Sequence, residues 1–137
     1  MGSELVYVLL VAHFVGDFIC QSDWMALNKS KRWDALAIHV TVYSAVLYMA
    51  IFVSIGLNAE LSPRIILALV NELPYVSAVG FYVLVNAVAH FVQDAITSRI
   101  NSRLWQANQR HWFFVGIGAD QLLHYVTLFV TAGWWLR

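Results

Sequence analysis

Ala12-His13-Phe14-Val15-Gly16-Asp17 returns 77 residues later as Ala89-His90-Phe91-Val92-Gln93-Asp94. In both copies a histidine and an aspartate stand four residues apart, the spacing that stacks two side chains on one face of a helix. Each copy therefore points an imidazole and a carboxylate the same way, as a pair of metal-ligand arms. The rest of the chain gives this pair its weight: of 137 residues, 61% are hydrophobic and 12% charged, with a mean hydropathy of +0.67. A soluble domain of this length is far less apolar, so the chain reads as an integral membrane protein.

Working outward, four apolar stretches are long enough to cross a bilayer, over about 4–24, 34–57, 74–98 and 112–135, because a helix rising 1.5 Å per residue needs about 20 residues. The first carries His13, Asp17 and Gln21 at intervals of four, and the third carries Asn86, His90 and Asp94 likewise. The second has His39 and Tyr43 near its start, and the fourth has Asp120 and His124 in reversed order after Gly116 and Gly118. A polar stripe on a membrane helix must face protein, metal or a wet cavity. Small residues let a neighbouring helix or ligand approach the backbone. Between the second and third stretches, Ser62-Pro63 opens a short helix over about 62–72, expected to lie on the membrane surface. The expected fold is all-α: a polytopic four-helix bundle in a single transmembrane domain spanning 1–137, with that interfacial segment between its halves.

The repeat extends past its opening words. Residues 35–48 align with 120–133 and set His39 against His124, so the bundle reads as two similar helical hairpins. Each hairpin has an even number of spans, which places the twofold pseudo-axis along the membrane normal. Lys29, Lys31 and Arg32 lie in the first loop and Arg99, Arg103 and Arg110 around the third, so the positive-inside rule puts both loops in the cytoplasm and both termini outside. Trp24, Trp33, Trp105 and Trp112 then form an inner aromatic belt, with Trp134 and Trp135 at the outer interface. The expected location is a bacterial inner membrane. The first apolar run lacks a basic flank and a small-residue cleavage site, and is read as a retained span. Eight basic and eight acidic residues cancel, so nothing in the charge balance advertises a basic nucleic-acid-binding surface. The single cysteine, Cys20, reads as an inert thiol.

Seven ionisable groups fall inside the spans: His13, Asp17, His39, His90, Asp94, Asp120 and His124. All lie toward the basic-loop ends of their helices, so bundling gathers them in one layer. A lone aspartate at mid-membrane costs roughly 2.5–3.5 kcal/mol on insertion scales, and so many together call for a shared compensation. A divalent transition metal supplies it, since imidazole nitrogen and carboxylate oxygen ligate zinc, with manganese and iron as alternatives. Seven candidates exceed one tetrahedral site. Either one ion is bound, with the surplus residues acting as base or support, or two ions share a bridging aspartate. The bland reading of any one such histidine is an interhelical hydrogen bond; four of them with three aspartates, in a repeat, favour the metal. Asp17, Asp94 and Asp120 are the candidate catalytic carboxylates. Gln21, Asn86 and Gln121 could orient imidazoles or touch substrate, or simply hydrogen-bond between helices. Tyr43 could donate to an oxyanion or pack as an aromatic, and Lys29 could hold a phosphate or remain solvated. Asp23 and His111 read as solvated and interfacial.

The pattern HFVGDFICQSDWMALNKS, then LAIHV, NAVAHFVQD and ADQLLHYVTLF resembles a family of small bacterial and phage membrane proteins grouped as a domain of unknown function. That resemblance covers most of the chain and implies a compact polytopic membrane fold. A looser similarity, in ligand spacing alone, is to bacterial membrane-bound metal-dependent hydrolases. Three functions follow as expectations. The first is a hydrolase acting on a lipid-linked or phosphate-bearing substrate near the cytoplasmic leaflet. The second is a divalent-metal or proton transporter, which would need a homodimer to make room for two gates. The third is a noncatalytic phage or host envelope-modifying protein clamped by a structural metal. Membrane lipids are the expected partners in each.

Overall fold

Each long apolar stretch folds as helix in the computed structural model, which describes residues 3–58 and 73–135, with side chains described over 4–54 and 77–134. Helix α1 (Ser3–Phe14) runs directly into a π-helical turn, Val15–Ile19; α2 (Asp23–Asn28), α3 (Trp33–Asn58), α4 (Leu73–Gln106) and α5 (Arg110–Trp135) follow. Among the described residues there is no strand. Three segments are long and apolar enough to cross a membrane: Trp33–Ser54, Ser77–Gln106 and Arg110–Trp134. The 12 residues of α1 and the 5 of the π turn form a shorter apolar segment.

The chain breaks after Ile19, where the first apolar stretch was expected to continue to residue 24. The reason is local: Ser22 has extended backbone (φ −72°, ψ 158°), and its Oγ accepts the Met25 N–H at 3.3 Å, capping a new helix. Helix α2 is short and two-faced, with Met25 buried and Trp24 and Leu27 exposed. At the same end of the bundle α4 and α5 are joined by a tight turn in which Asn108 takes φ 56°, a conformation asparagine tolerates better than most residues. The surface helix expected over 62–72 lies outside the described residues.

Helices α1 and α3 pack as one hairpin and α4 and α5 as the other; α3 lies against α4, and α1 makes a thinner contact with α5. The polarity of the bundle is inverted relative to a soluble one. Leu84, Val88, Val92, Ile96 and Ile100 form an exposed stripe along α4, while Asn86, His90 and Asp94 on the same helix are buried. In water that stripe would be a liability; facing acyl chains it is matched to its solvent. A dry layer of Leu9, Tyr43, Leu47, Ile51, Tyr82 and Leu128 fills the bundle on the side away from α2. The polar cluster sits above it, toward the end formed by α2 and the α4–α5 turn.

Candidate metal centre

Gly16 brings α1 close enough to α3 for Asp17 to reach the bundle interior. A Cβ on Gly16 would stand 3.0 Å from Tyr43 Cδ2 and 3.3 Å from Tyr43 Cα, so a larger residue would push the helices apart. Asp17 itself lies in the π turn, closed by the Cys20 N–H donating to Val15 O at 2.8 Å. Such turns are rare and frequently mark functional positions, because they widen the helix and redirect a side chain.

Four atoms converge there. His39 Nε2 is 3.0 Å from Asp17 Oδ1, 3.2 Å from Asp94 Oδ2 and 3.2 Å from His90 Nε2. His90 Nε2 is 3.6 Å from the same Asp17 oxygen and 3.7 Å from the same Asp94 oxygen. A tetrahedron of nitrogen and oxygen donors about 2.0–2.1 Å from a central ion has edges of roughly 3.3–3.4 Å; these separations bracket that value. Hydrogen bonding alone does not explain the crowding, because an imidazole nitrogen offers one hydrogen or one lone pair. All four residues are almost fully buried, at 0–4% exposure.

A second set shares one member with the first. Asp94, Asp120 and His124 also place ligand atoms close enough to hold an ion. His124 Nδ1 donates to the Asp120 carbonyl at 2.8 Å, which leaves Nε2 as the lone-pair nitrogen. That Nε2 is buried, has no hydrogen-bond partner and stands 3.6 Å from Asp94 Oδ1. The two oxygens of Asp94 thus address different sets, Oδ2 the first and Oδ1 the second.

The remaining expected site residues divide by position. His13 belongs to neither set. Its Nε2 contacts Gln121 Oε1 at 3.0 Å and its Nδ1 lies 3.3 Å from the Tyr43 hydroxyl. Gln121 in turn donates to Asp17 Oδ2 at 3.0 Å, so His13 acts on the carboxylate through the amide. Tyr43 also stacks on His90 with ring centroids 4.0 Å apart, fixing an imidazole whose Nδ1 has no partner. Asn86 is away from the cluster and joins α4 to α5 through Thr131 at 2.9 Å. Gln21, beyond the break in the first helix, lines a cavity instead of continuing the stripe. Lys29 reaches inward: its Nζ is 2.9 Å from Asp94 Oδ2, 3.3 Å from His39 Nε2 and 3.9 Å from Asp17 Oδ1. Gly116 allows close approach of α5 to Asn101, whereas Gly118 faces open space.

The cavity has a volume of about 530 Å³ and is floored by Asp17, Asp94, Asp120 and Gln121. Its upper wall includes Ser98, Asn101 and Ser102 of α4 and Ile117 of α5. Asp94 lies 12 residues before the end of α4, so this wall rises about 18 Å above it.

The sequence pattern of the family described as Protein of unknown function (DUF3307) matches residues 5–136. The chain belongs to that family. No curated protein and no solved structure matches it. For this DUF3307 chain the cluster geometry therefore carries the functional argument.

Two contributors went unread in the sequence. Thr97 donates to Asp120 Oδ1 at 2.6 Å, and the Ser98–Ser102 segment lines the cavity. The signal was present: Ser98 and then Ser102 continue the four-residue rhythm of Asn86, His90 and Asp94 to the expected end of the span and past it. Other sequence signals at this end of the bundle pair up: the Arg99 guanidinium lies 4.2 Å from the Trp33 ring centroid and that of Arg110 3.5 Å from the Trp105 ring centroid.

Proposed function

We propose that this DUF3307 protein is a membrane-embedded metal-dependent hydrolase of a phosphate-bearing lipid or lipid-linked substrate, with two divalent transition-metal ions, of which zinc suits the donors best. One observation carries the reading: Asp94 offers one oxygen to each of two ligand sets at the floor of a cavity. The first set provides four protein donors, as many as a closed tetrahedral site would use. The second provides three and lies at the cavity edge, which leaves a coordination position for water or substrate. A divalent ion there would lower the pKa of a water toward ~7 and polarise a phosphoryl oxygen.

The chain's own groups do the rest. Asp120, 14% exposed and held by Thr97, is a donor of the second set and, through the oxygen it does not give the ion, would take a proton from the attacking water. The His13–Gln121 pair fixes Asp17, and the dry layer below excludes water from the opposite side. Arginine–tryptophan pairs at the cavity end support an interfacial position there, and the basic loops favour the cytoplasmic leaflet of a bacterial inner membrane with both termini outside. The same dry layer speaks against transport, which needs access from both sides. A structural clamp would use the closed set, yet gives no role to the second one.

The test is hydrolysis. Metal-loaded protein in micelles of mixed anionic phospholipids is expected to release phosphate or headgroup, and Asp120→Asn to reduce the rate by ~100-fold or more, within the range for loss of a general base. Absence of release across the panel, with metal flux into liposomes instead, would overturn the hydrolytic reading in favour of transport.

A further inference from the structure

The Lys29 ammonium stands where it competes with a metal. It touches three of the four donors of the first set, at 2.9 Å from Asp94, 3.3 Å from His39 and 3.9 Å from Asp17. A divalent ion held by those donors would face a unit positive charge across one face of its coordination shell, with little water between to screen it. The two cations exclude each other in this geometry. Lys29 also has somewhere to go. It follows the last residue of α2, its side chain is 16% exposed, and together with Ser30 and Lys31 it lines the cavity.

The charge of the cavity makes the consequence specific. Its charged lining consists of Asp17, Asp94 and Asp120 against Lys29 and Lys31. All three carboxylates are metal donors in the two sets. Once they are engaged by divalent ions, the lysines are the charged groups left facing the cavity, and a substrate group bound there has to be an anion. An ammonium beside metal ions and opposite serine hydroxyls of α4 matches a phosphate, to which lysine donates as a mobile point charge.

We infer that Lys29 is an exchangeable counter-cation: it neutralises the Asp17–Asp94 pair until a divalent metal takes its place, and then swings into the cavity to anchor the phosphate of the substrate. This rests on the metal centre proposed above and assigns the residue that couples metal loading to substrate binding. Phosphate capture before the metal is in place is thereby disfavoured.

The experiment uses full-length protein in detergent, wild type and Lys29→Met, stripped with chelator and titrated with zinc against a competing chromophoric chelator. Removal of the competitor is expected to tighten metal binding by about tenfold, the worth of one charge-assisted contact. In parallel, metal is expected to increase acylation of Lys29 by an amine-reactive reagent, relative to Lys31, as read by mass spectrometry. Metal-loaded wild type is then probed with inorganic phosphate and with phosphatidic acid in micelles, and Lys29→Met is expected to weaken whichever binds by about tenfold. Weakening of both assigns recognition to the phosphate alone; weakening only with phosphatidic acid assigns it to the lipid headgroup. Equal or weaker zinc binding by Lys29→Met, or unchanged binding of both inorganic phosphate and phosphatidic acid, overturns the exchange while leaving the metal centre standing. Failure of zinc to bind either protein overturns both.

Discussion

Replacing Gln121 by methionine removes the hydrogen-bond chain that holds Asp17, together with a longer contact from the same amide to Asp120 Oδ2 at 3.3 Å. The wild-type amide donates to Asp17 Oδ2 at 3.0 Å and receives His13 Nε2 at 3.0 Å. Methionine keeps the length and apolar bulk of the side chain but does neither. A hydrogen bond to a charged group contributes about 1.5–3 kcal/mol, and at 1.4 kcal/mol per decade this corresponds to roughly a 10- to 100-fold change in affinity. The same range is typical when a residue supporting a metal ligand is removed. Metal affinity of Gln121→Met should therefore fall 10- to 100-fold, measured by chelator competition in detergent. The control is Gln93→Met, which removes a hydrogen bond of similar length between α4 and α5, to Thr127 at 2.8 Å, that touches no ligand carboxylate. Gln93→Met should leave metal affinity within about threefold, since a partner outside the ligand shell acts on stability alone. Equal losses in the two variants, or no loss in Gln121→Met, would refute the role assigned to the His13–Gln121–Asp17 chain.

Three further outcomes are expected. His124→Gln should lower the bound metal from two ions to one while the chain stays folded, because the first set keeps all four donors; elemental analysis after gel filtration reads this directly. Gly16→Ala should destabilise by about 1–3 kcal/mol from overpacking against Tyr43, offset by up to ~1 kcal/mol of helix propensity, with a lower thermal midpoint in detergent and weaker metal binding as Asp17 shifts. Val92→Asp, on the outward stripe of α4, should cost roughly 2.5–3.5 kcal/mol of insertion free energy if that face meets lipid; membrane-fraction yield should drop, whereas a face turned to water would tolerate it.

Much of this architecture was legible because membrane burial leaves few explanations for charge. The spacing of His13 with Asp17 and of His90 with Asp94 identifies helical faces, and the Ala35–Tyr48 repeat brings in His39 and His124 from the other two helices. Spacing says which way a side chain points along a regular helix, and it fails where the helix is irregular. The π turn at Val15–Ile19 and the Ser22 cap are set by packing of Gly16 on Tyr43 and by local capping. They redirect Asp17 inward and carry Gln21 off the stripe into the cavity wall. Spacing also treats like residues alike. His13 and His90 occupy equivalent repeat positions, yet Gln121 meets His13 alone, so His90 reaches the four-atom cluster and His13 supports it from behind. Lys29 lay in a basic loop whose inward reach depends on α2, a helix too short to show in periodicity.

Metal content tests the central claim most directly. Full-length protein, purified in mild detergent, incubated with zinc and freed of excess by gel filtration, should carry two ions per chain, with nitrogen and oxygen donors about 2.0–2.1 Å from the metal in its X-ray absorption spectrum. Less than one tightly held ion in a chain whose helical content is intact would contradict the account.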